Sequence, residues 1–421
     1  MNNMGEMRRS SIDPDNPLDT KNPDVHINDG IFAIFEELRQ QGPVVWNPEV
    51  NGRGFWAVLG RNEVTEVLKN PEIFSASWCN GGSRIFDVAD VTNTPSRSIF
   101  ALDPPERTDI RQAISGWFTP SRVAATVPAI RLRAERLIAA IAERGQADFV
   151  AEVSYPYSIG LATDLMGLEE SFGPVLGNWI EVLLGDDDPD VMASLEVRRQ
   201  TIAEFDAWAI EIFEGRFRPK TKLLEAIRRV SVGGERLSFD DFSVNILGLA
   251  TAFSETTRHA LSYAILALDA DPVGRARLIA DPSLASVAAK EVIRWTSPIA
   301  HTRRTAMCDV ELGGAQIRKG DKVVLWFAAG NRDQAQWSCP EQVDLARFGG
   351  DVPTHISFGA GPSFCLGWRY AELELTIMLE TLVRRLPDIR QAGSALRLKS
   401  NFVRAIRSLP VEFTPPTAAG G

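Results

Sequence analysis

Apolar residues recur every three to four positions over most of this chain, which is the pattern of amphipathic helices packed on a shared core. The helix that begins near Phe239 is the longest, and Ser238 and Asp241 are spaced as an N-cap pair at its start. The pattern predicts helices over Ile31–Gln40, Arg61–Leu68, Glu106–Phe118, Pro120–Arg144, Phe149–Met166, Gly173–Leu184, Asp190–Phe217, Thr221–Arg229, Phe239–Leu268 and Trp368–Arg385.

Strand-like runs are fewer than helical ones. Runs rich in β-branched and aromatic residues predict strands over Val44–Asn47, Phe55–Leu59, Arg304–Ala306, Val310–Leu312 and Lys322–Phe327. The sequence therefore predicts a mostly α fold with a minor β lobe. At 421 residues the length alone suggests two or three domains, but no linker rich in glycine, serine or proline divides the chain.

Composition and charge narrow the range of functions. Hydrophobic residues make up 44% of the chain and charged residues 24%, as in a globular protein with a large core. With 45 basic and 55 acidic residues the formal net charge is -10. This balance disfavours a nucleic-acid partner, because phosphate binding depends on lysine and arginine.

The N-terminal segment, residues 1–29, is polar and rich in aspartate, asparagine and proline. It has neither the apolar core of a signal peptide nor the roughly 20 apolar residues of a membrane span, so we expect a cytoplasmic protein without a membrane anchor. The cysteines show no zinc-binding spacing and indicate a reducing compartment; they are Cys79, Cys308, Cys339 and Cys365.

One of these cysteines lies in a glycine-rich loop, Phe358 to Gly367, directly before a predicted helix. A thiolate at Cys365 would lie near the helix N-terminus, where unpaired N–H groups and the helix dipole lower a thiol pKa. The glycines at 359, 361 and 367 allow tight or left-handed backbone and a close approach to a flat ligand. This arrangement suits the axial thiolate of a haem iron, and the alternative is a buried cysteine in a turn.

Motifs upstream of the loop extend this pattern. In chain order they are Glu291 and Arg294 on one helical face, Pro298, Arg303, Arg304 and the strand at 322–327. Together with the cysteine loop, this series resembles the cytochrome P-450 family of haem-thiolate monooxygenases, with similarity from Asp103 to Pro410. The resemblance implies one domain over residues 1–421, with a long central helix over haem b and the cysteine loop on the proximal side. Several stretches are similar to soluble bacterial members that oxidise terpenes and steroids.

The resemblance implies roles for residues around the haem. Cys365 would ligate the iron, and Phe358, Gly359 and Gly367 would contact the cofactor. The haem propionates would be held by Arg107, Arg111, Arg304 and His355. Two residues before the cysteine, relatives often carry histidine or arginine, whereas this chain has Ser363 and so one fewer cation there. Without the resemblance, each arginine would be taken for a solvated surface charge.

Glu291 and Arg294 resemble the family's structural pair beneath the haem. Arg347 is the candidate for the third member of that network. The expected role of all three is to support the cysteine loop rather than to take part in catalysis.

The central helix carries the residues Glu255 and Thr256, which match the family's acid–hydroxyl pair and would relay protons to dioxygen. The alternative for Thr256 is a hydrogen bond back to a carbonyl of its own helix. Phe253 stands where relatives keep glycine. Its ring either fills core volume or narrows the distal pocket, and we expect the second because relatives need space at this position.

The segments that contact substrate in the family are nearly all apolar here, which favours a hydrocarbon or aromatic substrate held by shape. His301 either adds one hydrogen bond or faces the sheet. The pocket residues are Trp78, Ile85, Phe86, Leu249, Ala252, Phe253, Ile299, Ala300, Phe402 and Val403.

The implied reaction inserts one oxygen atom of O2 into an apolar small molecule, terpenoid, steroid-like or aromatic. The sequence carries no nucleotide-binding or flavin fingerprint, so electrons would come from a ferredoxin and its NAD(P)H-dependent reductase, docked on basic groups near the cysteine. Two alternatives stay open. One is a haem-thiolate enzyme that catalyses coupling, nitration or rearrangement, supported only by Phe253. The other is a non-catalytic haem-binding protein, against which the Glu255–Thr256 pair argues.

Overall fold

Helices form most of the structure. The computed structural model describes residues 15–50, 52–86, 97–184, 188 and 191–415. None of the helices in these ranges is both long enough and apolar enough to cross a bilayer. The helices are α1 Asp24–Ile27, α2 Ile31–Arg39, α3 Arg61–Lys69, α4 Glu106–Ser115, α5 Pro120–Ala142, α6 Tyr155–Met166, α7 Gly173–Leu184, α8 Leu195–Phe213, α9 Leu223–Arg229, α10 Phe239–Ala270, α11 Pro272–Ala280, α12 Ala285–Thr296, α13 Phe327–Gly330 and α14 Trp368–Arg385.

The strands are short and form one larger sheet with several small ones. They are β1 Val44–Asn47, β2 Phe55–Val58, β3 Phe74–Ser75, β4 Gln146–Asp148, β5 Ser231–Val232, β6 Glu235–Arg236, β7 His301–Ala306, β8 Val310–Leu312, β9 Ala315–Ile317, β10 Lys322–Trp326, β11 Arg390–Gln391, β12 Leu396–Arg397, β13 Ile406–Ser408 and β14 Pro410–Glu412. The mostly α fold with a minor β lobe is confirmed.

The predicted and observed elements differ where turn residues intervene. The helix predicted over Asp190–Phe217 begins at Leu195, and its predicted start lies outside the described residues. It ends at Phe213, because the backbone at Gly215 is left-handed, with φ of 81°. The pattern also missed α11 as a separate helix, although Asp271 caps it by accepting from the Gly274 N–H and Pro272 begins it.

The central helix α10 is 32 residues long and begins with the expected capping box, in which the Ser238 and Asp241 side chains each bond the other's backbone N–H. It packs against α6, α12 and α14. From Thr257 to Ile265 every side chain is buried, so this half of the helix runs through the main core rather than along its surface.

The larger sheet has the strand order β1-β2-β10-β7-β3. Strand β10 lies in its centre, and all five of its residues are buried. Val324 and Trp326 belong to one core cluster and Val323 and Leu325 to another, so both faces of the sheet are covered. This explains the continuous apolar run in β10.

The polar N-terminal segment is packed where the structure describes it. Thr20 donates from its backbone N–H and its hydroxyl to Asn47 Oδ1, at 3.0 and 2.8 Å. His26 contacts the Thr20 carbonyl through Nε2 at 2.9 Å, and its ring stacks on Trp326 with 5.4 Å between centroids. Residues 15–29 therefore join the core beside the sheet despite their composition.

We expect acid to destabilise the fold partly through His26. Burial lowers the pKa of His26 from 6.5 to about 4; the Thr20 carbonyl and Asp29 oppose this shift, and Arg404 reinforces it. Because the folded-state pKa is the lower one, the unfolded chain takes up a proton first. Stability is then complete above the unfolded pKa and falls by about 3 kcal/mol as the pH drops through this window.

The variant His26→Phe keeps an aromatic ring against Trp326 and removes the titration. Urea unfolding at neutral pH and at about pH 4.5 measures the effect. The pH-dependent loss should be smaller in the variant by about 3 kcal/mol, since His259 and His355 titrate in both proteins. An equal loss in the two proteins would contradict this assignment.

Candidate functional site

The glycine-rich loop before α14 folds back on itself, so that the Cys365 N–H donates to the Phe358 carbonyl at 2.8 Å. Gly359 and Gly361 have φ values of 73° and 60°, which favour glycine. A Cβ at Gly361 would also lie 2.7 Å from the Leu68 carbonyl oxygen, so no side chain fits there. Gly367 has a φ of -86°, and the expected left-handed freedom is not used at this position.

The Cys365 thiol is half-buried at the start of α14. Burial raises its pKa above the ordinary value, while hydrogen bonds from the Gly367 and Trp368 N–H groups and the charge of Arg111 act in the opposite direction. The prediction of a lowered thiol pKa is therefore wrong, because burial outweighs the helix N-terminus. The two N–H groups are nevertheless directed at the sulfur, where they would stabilise a thiolate bound to a cation.

Two arginines of α4 contact this loop, and the buried Arg304 of β7 lies close enough to one of them to lower its pKa. Arg107 in α4 donates to the Ser363 hydroxyl, and Arg111, one turn later, donates to the Phe364 carbonyl at 2.9 Å. Arg304 in β7 is buried and donates to the Arg303 carbonyl at 2.7 Å. Burial, and then the charges of Arg304 and Arg111, lower the pKa of Arg107 to about 9.

This cluster has the properties of an anion-binding site. Burial lowers the pKa of Arg304 to about 10, and the negative charge of Asp103 opposes this shift. The buried Nε of Arg107 has no hydrogen-bond partner among the described residues. Mutually repelling guanidinium groups with an unsatisfied donor fit a dianionic group such as the two haem propionates.

His355 lies on the other side of the same loop. Its ring contacts Phe358 with 5.1 Å between centroids, and its buried Nδ1 has no partner within the described ranges. Burial and the nearby Arg294, Lys290 and Arg61 lower its pKa to about 3. A neutral imidazole with an unused ring nitrogen also fits a polar contact to a bound cofactor.

Glu291, Arg294 and Arg347 form a buried ion network below the loop. Arg294 Nε lies 2.7 Å from Glu291 Oε2, and Arg347 Nε lies 3.1 Å from both carboxylate oxygens. Arg294 and Arg347 also donate to carbonyls of the segment 331–342. The network therefore fixes this segment against α12.

Asn331 extends that network to the cysteine loop, and the sequence analysis missed it. Its side chain donates to the Ser357 hydroxyl at 2.8 Å and accepts from the Ile356 N–H at 2.8 Å. Its backbone carbonyl accepts from Arg294 at 2.7 Å. No local signal marks it, because Asn331 is the first of four consecutive polar residues that follow the apolar run 323–330. Asn331 thus connects the ion network with the residues that precede Gly359.

Thr256 and Ala252 share the face of the central helix that is open. Ala252 is exposed and Thr256 half-buried, although buried residues surround them. The Thr256 hydroxyl donates to the Ala252 carbonyl at 2.9 Å, which is the back-bond expected of threonine in a helix. A hydroxyl keeps acceptor capacity after donating once, so Thr256 can still accept a hydrogen bond on this face.

Glu255 has charged side-chain partners, unlike Thr256, which bonds the backbone of its own helix. Its carboxylate lies 3.2 Å from Arg258 Nη1 and 3.3 Å from His259 Nε2. Arg258 also pairs with Glu181 of α7, which is half-exposed. Burial alone would raise the pKa of Glu255, but Arg258 and His259 lower it to about 2. Glu255 is therefore a carboxylate at neutral pH, connected to the surface through Arg258.

Phe253 lies in the main core, and the expectation that its ring narrows the pocket is wrong. The ring packs edge-on against Tyr370 of α14, with centroids 5.2 Å apart, and only 9% of the residue is exposed. One turn after Phe253 the central helix is bound to α14 again, because Thr257 donates to the buried Glu374 at 2.9 Å. The ring fills the space between two helices because position 253 lies on the α14 side of the helix.

The variant Phe253→Ala should therefore destabilise the protein by about 3–5 kcal/mol, the usual cost of removing a buried ring. It should leave the pattern of oxidised products unchanged. Urea unfolding and product analysis measure the two effects. Val244→Ala, at an exposed position of the same helix, is the control. A changed product pattern with unchanged stability would restore the pocket interpretation.

The remaining pocket candidates fall into two groups. The first group consists of Leu249 and Ala252 on the central helix and of Trp78. Trp78 is half-buried, and its backbone N–H donates to the Ala101 carbonyl at 2.9 Å. The second group lies where the sheet meets the C-terminal turn. There Ala300 N–H donates to the Phe402 carbonyl at 2.8 Å, Ile299 bridges Val403, and the Phe86 carbonyl accepts from Arg303 at 2.8 Å.

Within this second group Ile85, Phe86 and Ala300 are buried in the core cluster of α2 and β10. His301 contacts the Asn401 carbonyl at 2.8 Å, and its ring lies between Trp326 and Phe402. Its imidazole therefore faces the sheet and the C-terminal turn.

The chain has clear relatives among known proteins. The cytochrome P450 family model matches residues 218–387. Linalool 8-monooxygenase of Pseudomonas putida is 36% identical over 94% of this chain and 99% of its own length. Methyl-branched lipid omega-hydroxylase of Mycobacterium tuberculosis is 33% identical over 93% of this chain and 92% of its own length. The solved structure of Mycobacterium marinum cytochrome P450 CYP268A2 in complex with pseudoionone is 32% identical, covers 96% of this chain and all of its own, and superimposes with a TM-score of 0.84.

Proposed function

The chain belongs to the cytochrome P450 family of monooxygenases, and on that premise we propose that it hydroxylates a methyl-branched, mostly hydrocarbon molecule of the terpenoid or branched-lipid class. The observation that supports this class best is the similarity over nearly full length to enzymes named for linalool and for methyl-branched lipids. Both molecules are flexible branched chains with few polar groups. The apolar candidates at 249, 252, 299, 402 and 403, which are not fully buried, suit such a chain.

The proposed cofactor is haem b, held by Cys365 and by the Arg107, Arg111, Arg304 and His355 cluster. Haem with a thiolate ligand supplies the activation of dioxygen and the transfer of one oxygen atom to carbon. Gly359 and Gly361 let the loop approach the cofactor closely. The N–H groups of Gly367 and Trp368 stabilise negative charge on the sulfur.

Protons are proposed to reach the site through Glu255 and Thr256. Glu255, an anion paired with Arg258, accepts a proton from the side of Glu181 and releases it toward the open face of the helix. The Thr256 hydroxyl, fixed by its bond to the Ala252 carbonyl, orients a proton donor on that face by accepting its hydrogen bond. Proton delivery by positioned groups contributes about 10²–10⁴-fold to rate in enzymes generally.

Electrons are proposed to come from a ferredoxin and its NAD(P)H-dependent reductase. Support comes from cations beside the first turns of α14. The exposed Arg122 interacts electrostatically with Tyr370, and Lys290 and Arg369 interact electrostatically with Glu372. An acidic partner attracted to these groups would lose affinity as salt rises.

The alternative chemistries lose support. Coupling, nitration or rearrangement rested on Phe253 alone, and that ring packs against Tyr370. A non-catalytic haem-binding protein is at odds with relatives named as a monooxygenase and a hydroxylase.

The substrate class is tested by optical titration of the haem enzyme with linalool, a methyl-branched fatty acid, a straight-chain fatty acid of equal length and a sterol. A substrate that displaces water from the iron shifts the spin state. We expect the branched acyclic molecules to give the larger shifts. A stronger shift with the straight-chain acid than with both branched molecules would overturn the proposed class.

The proton route is tested by Thr256→Ala. The variant should bind haem and substrate but release most of its reducing equivalents as hydrogen peroxide, because the oriented hydroxyl is gone. Thr251→Ala is a matched control, since Thr251 makes the same back-bond, to the Leu247 carbonyl at 2.8 Å, on another face of the helix. Product and peroxide are measured per NADPH. Equal coupling in both variants would show that protons travel by another route.

A further inference from the structure

The segment before Asp103 is fixed along the central helix by two side chains of that helix. Arg97 N–H donates to Asp241 Oδ1 at 2.8 Å, and one turn later Ile99 N–H donates to Asn245 Oδ1 at 2.9 Å. Asn245, which is buried, also donates to the Arg97 carbonyl at 2.8 Å. Residues 97–99 therefore lie along the helix, held through two backbone N–H groups and one backbone carbonyl. We call residues 97–100 the strap.

Phe100 comes next in this strap, and its ring lies on Gly248. A Cβ at Gly248 would lie 2.8 Å from Phe100 Cε2, closer than real Cβ contacts come, and 3.2 Å from Cδ2, so the ring would have to shift to admit it. Glycine inside a helix costs about 1 kcal/mol relative to alanine, and here it makes room for the ring. Phe100 is 42% exposed, so one side of the ring covers the helix and the other is open.

The position of this ring relates it to the proposed active site. Gly248, Ala252 and Thr256 are spaced by four residues and share one helix face, with Ala252 exposed. Along the helix, Gly248 lies about 12 Å from Thr256, at 1.5 Å per residue. A ligand that extends along this face from Thr256 meets Phe100 at that distance.

We propose that Phe100, seated on Gly248 and held by the Asn245 strap, limits the length of the molecule that the pocket accepts. This inference rests on the proposed function, because it assigns the open face of the central helix to the substrate. It makes Phe100 and Gly248 specificity-determining residues. The sequence analysis named neither of them, since only the packing of the strap brings them together.

The test uses 1-alkylimidazoles as probes, because the imidazole nitrogen binds haem iron and the alkyl tail must extend into the pocket. Dissociation constants are taken from the optical shift for 1-butylimidazole and 1-dodecylimidazole. In Phe100→Ala the affinity ratio of the dodecyl to the butyl probe should rise at least tenfold over the wild type. In Gly248→Ala the added methyl group pushes the ring into the pocket, and the ratio should fall at least threefold.

Phe217→Ala, which removes a ring of similar exposure beyond the end of α8, is the control and should leave the ratio unchanged. Phe100→Leu replaces Phe100→Ala if the latter does not retain haem, and should raise the ratio by a smaller factor. Unchanged ratios in the Phe100 variants would overturn the inference and leave the proposed function standing. Failure of the wild type to bind 1-butylimidazole would overturn both.

Discussion

We expect Cys365→Ser to abolish the thiolate signature of the reduced carbon monoxide complex and to bring monooxygenase activity below detection. The reason is that Cys365 is held by the backbone of its own loop with two N–H groups directed at the sulfur, and serine cannot supply a thiolate. The carbon monoxide difference spectrum measures the change directly. The other three cysteines are exposed, so Cys308→Ser serves as the control and should leave the spectrum unaltered.

A thiolate-type Soret band that persists in Cys365→Ser would show that another residue ligates the iron. Loss of the band in both variants would show that the spectrum reports damage to the fold rather than loss of the ligand. The first result contradicts the assignment of Cys365, and the second removes the support that this experiment gives it.

Glu291→Gln should cost about 3–5 kcal/mol of stability and most of the bound haem. Removing its charge leaves Arg294 and Arg347 buried without a counter-ion, and breaking a buried ion pair is expensive in this way. Haem is lost because Arg294 fixes Asn331, and Asn331 holds Ile356 and Ser357 just before the cysteine loop.

Urea unfolding and the haem-to-protein absorbance ratio measure this effect. Glu412→Gln is the matched control: Glu412 pairs with Arg390 at 2.8 Å on the surface, and such pairs contribute about 0–1 kcal/mol. A Glu291→Gln protein with full haem content and normal stability would show that the network does not support the loop.

The sequence predicted the elements that local signals determine. The capping pair at 238 and 241 marked the start of the central helix, and the ordered motifs at 291, 294 and 365 indicated the family. The spacing of Glu291 and Arg294 also predicted their contact, because residues three apart share a helix face.

Features that depend on tertiary packing could not be predicted in this way. The resemblance placed the Phe253 ring at the distal pocket, but the ring packs against Tyr370 because α14 crosses on that side. The predicted direction of the Cys365 pKa shift was wrong, because the sequence pattern does not show that the loop is buried. Asn331, Asn245 and Phe100 each act through partners far away in sequence, so no local signal marked them.

The central claim is that this chain transfers one oxygen atom from dioxygen to a methyl-branched hydrocarbon with electrons from a ferredoxin. The most direct measurement supplies the haem enzyme with NADPH, a ferredoxin and its reductase, and linalool under ¹⁸O₂, followed by mass spectrometry of the product. The account predicts a hydroxylated product that carries a single ¹⁸O atom. A product whose oxygen comes from water, or consumption of NADPH with peroxide as the only product, would contradict it.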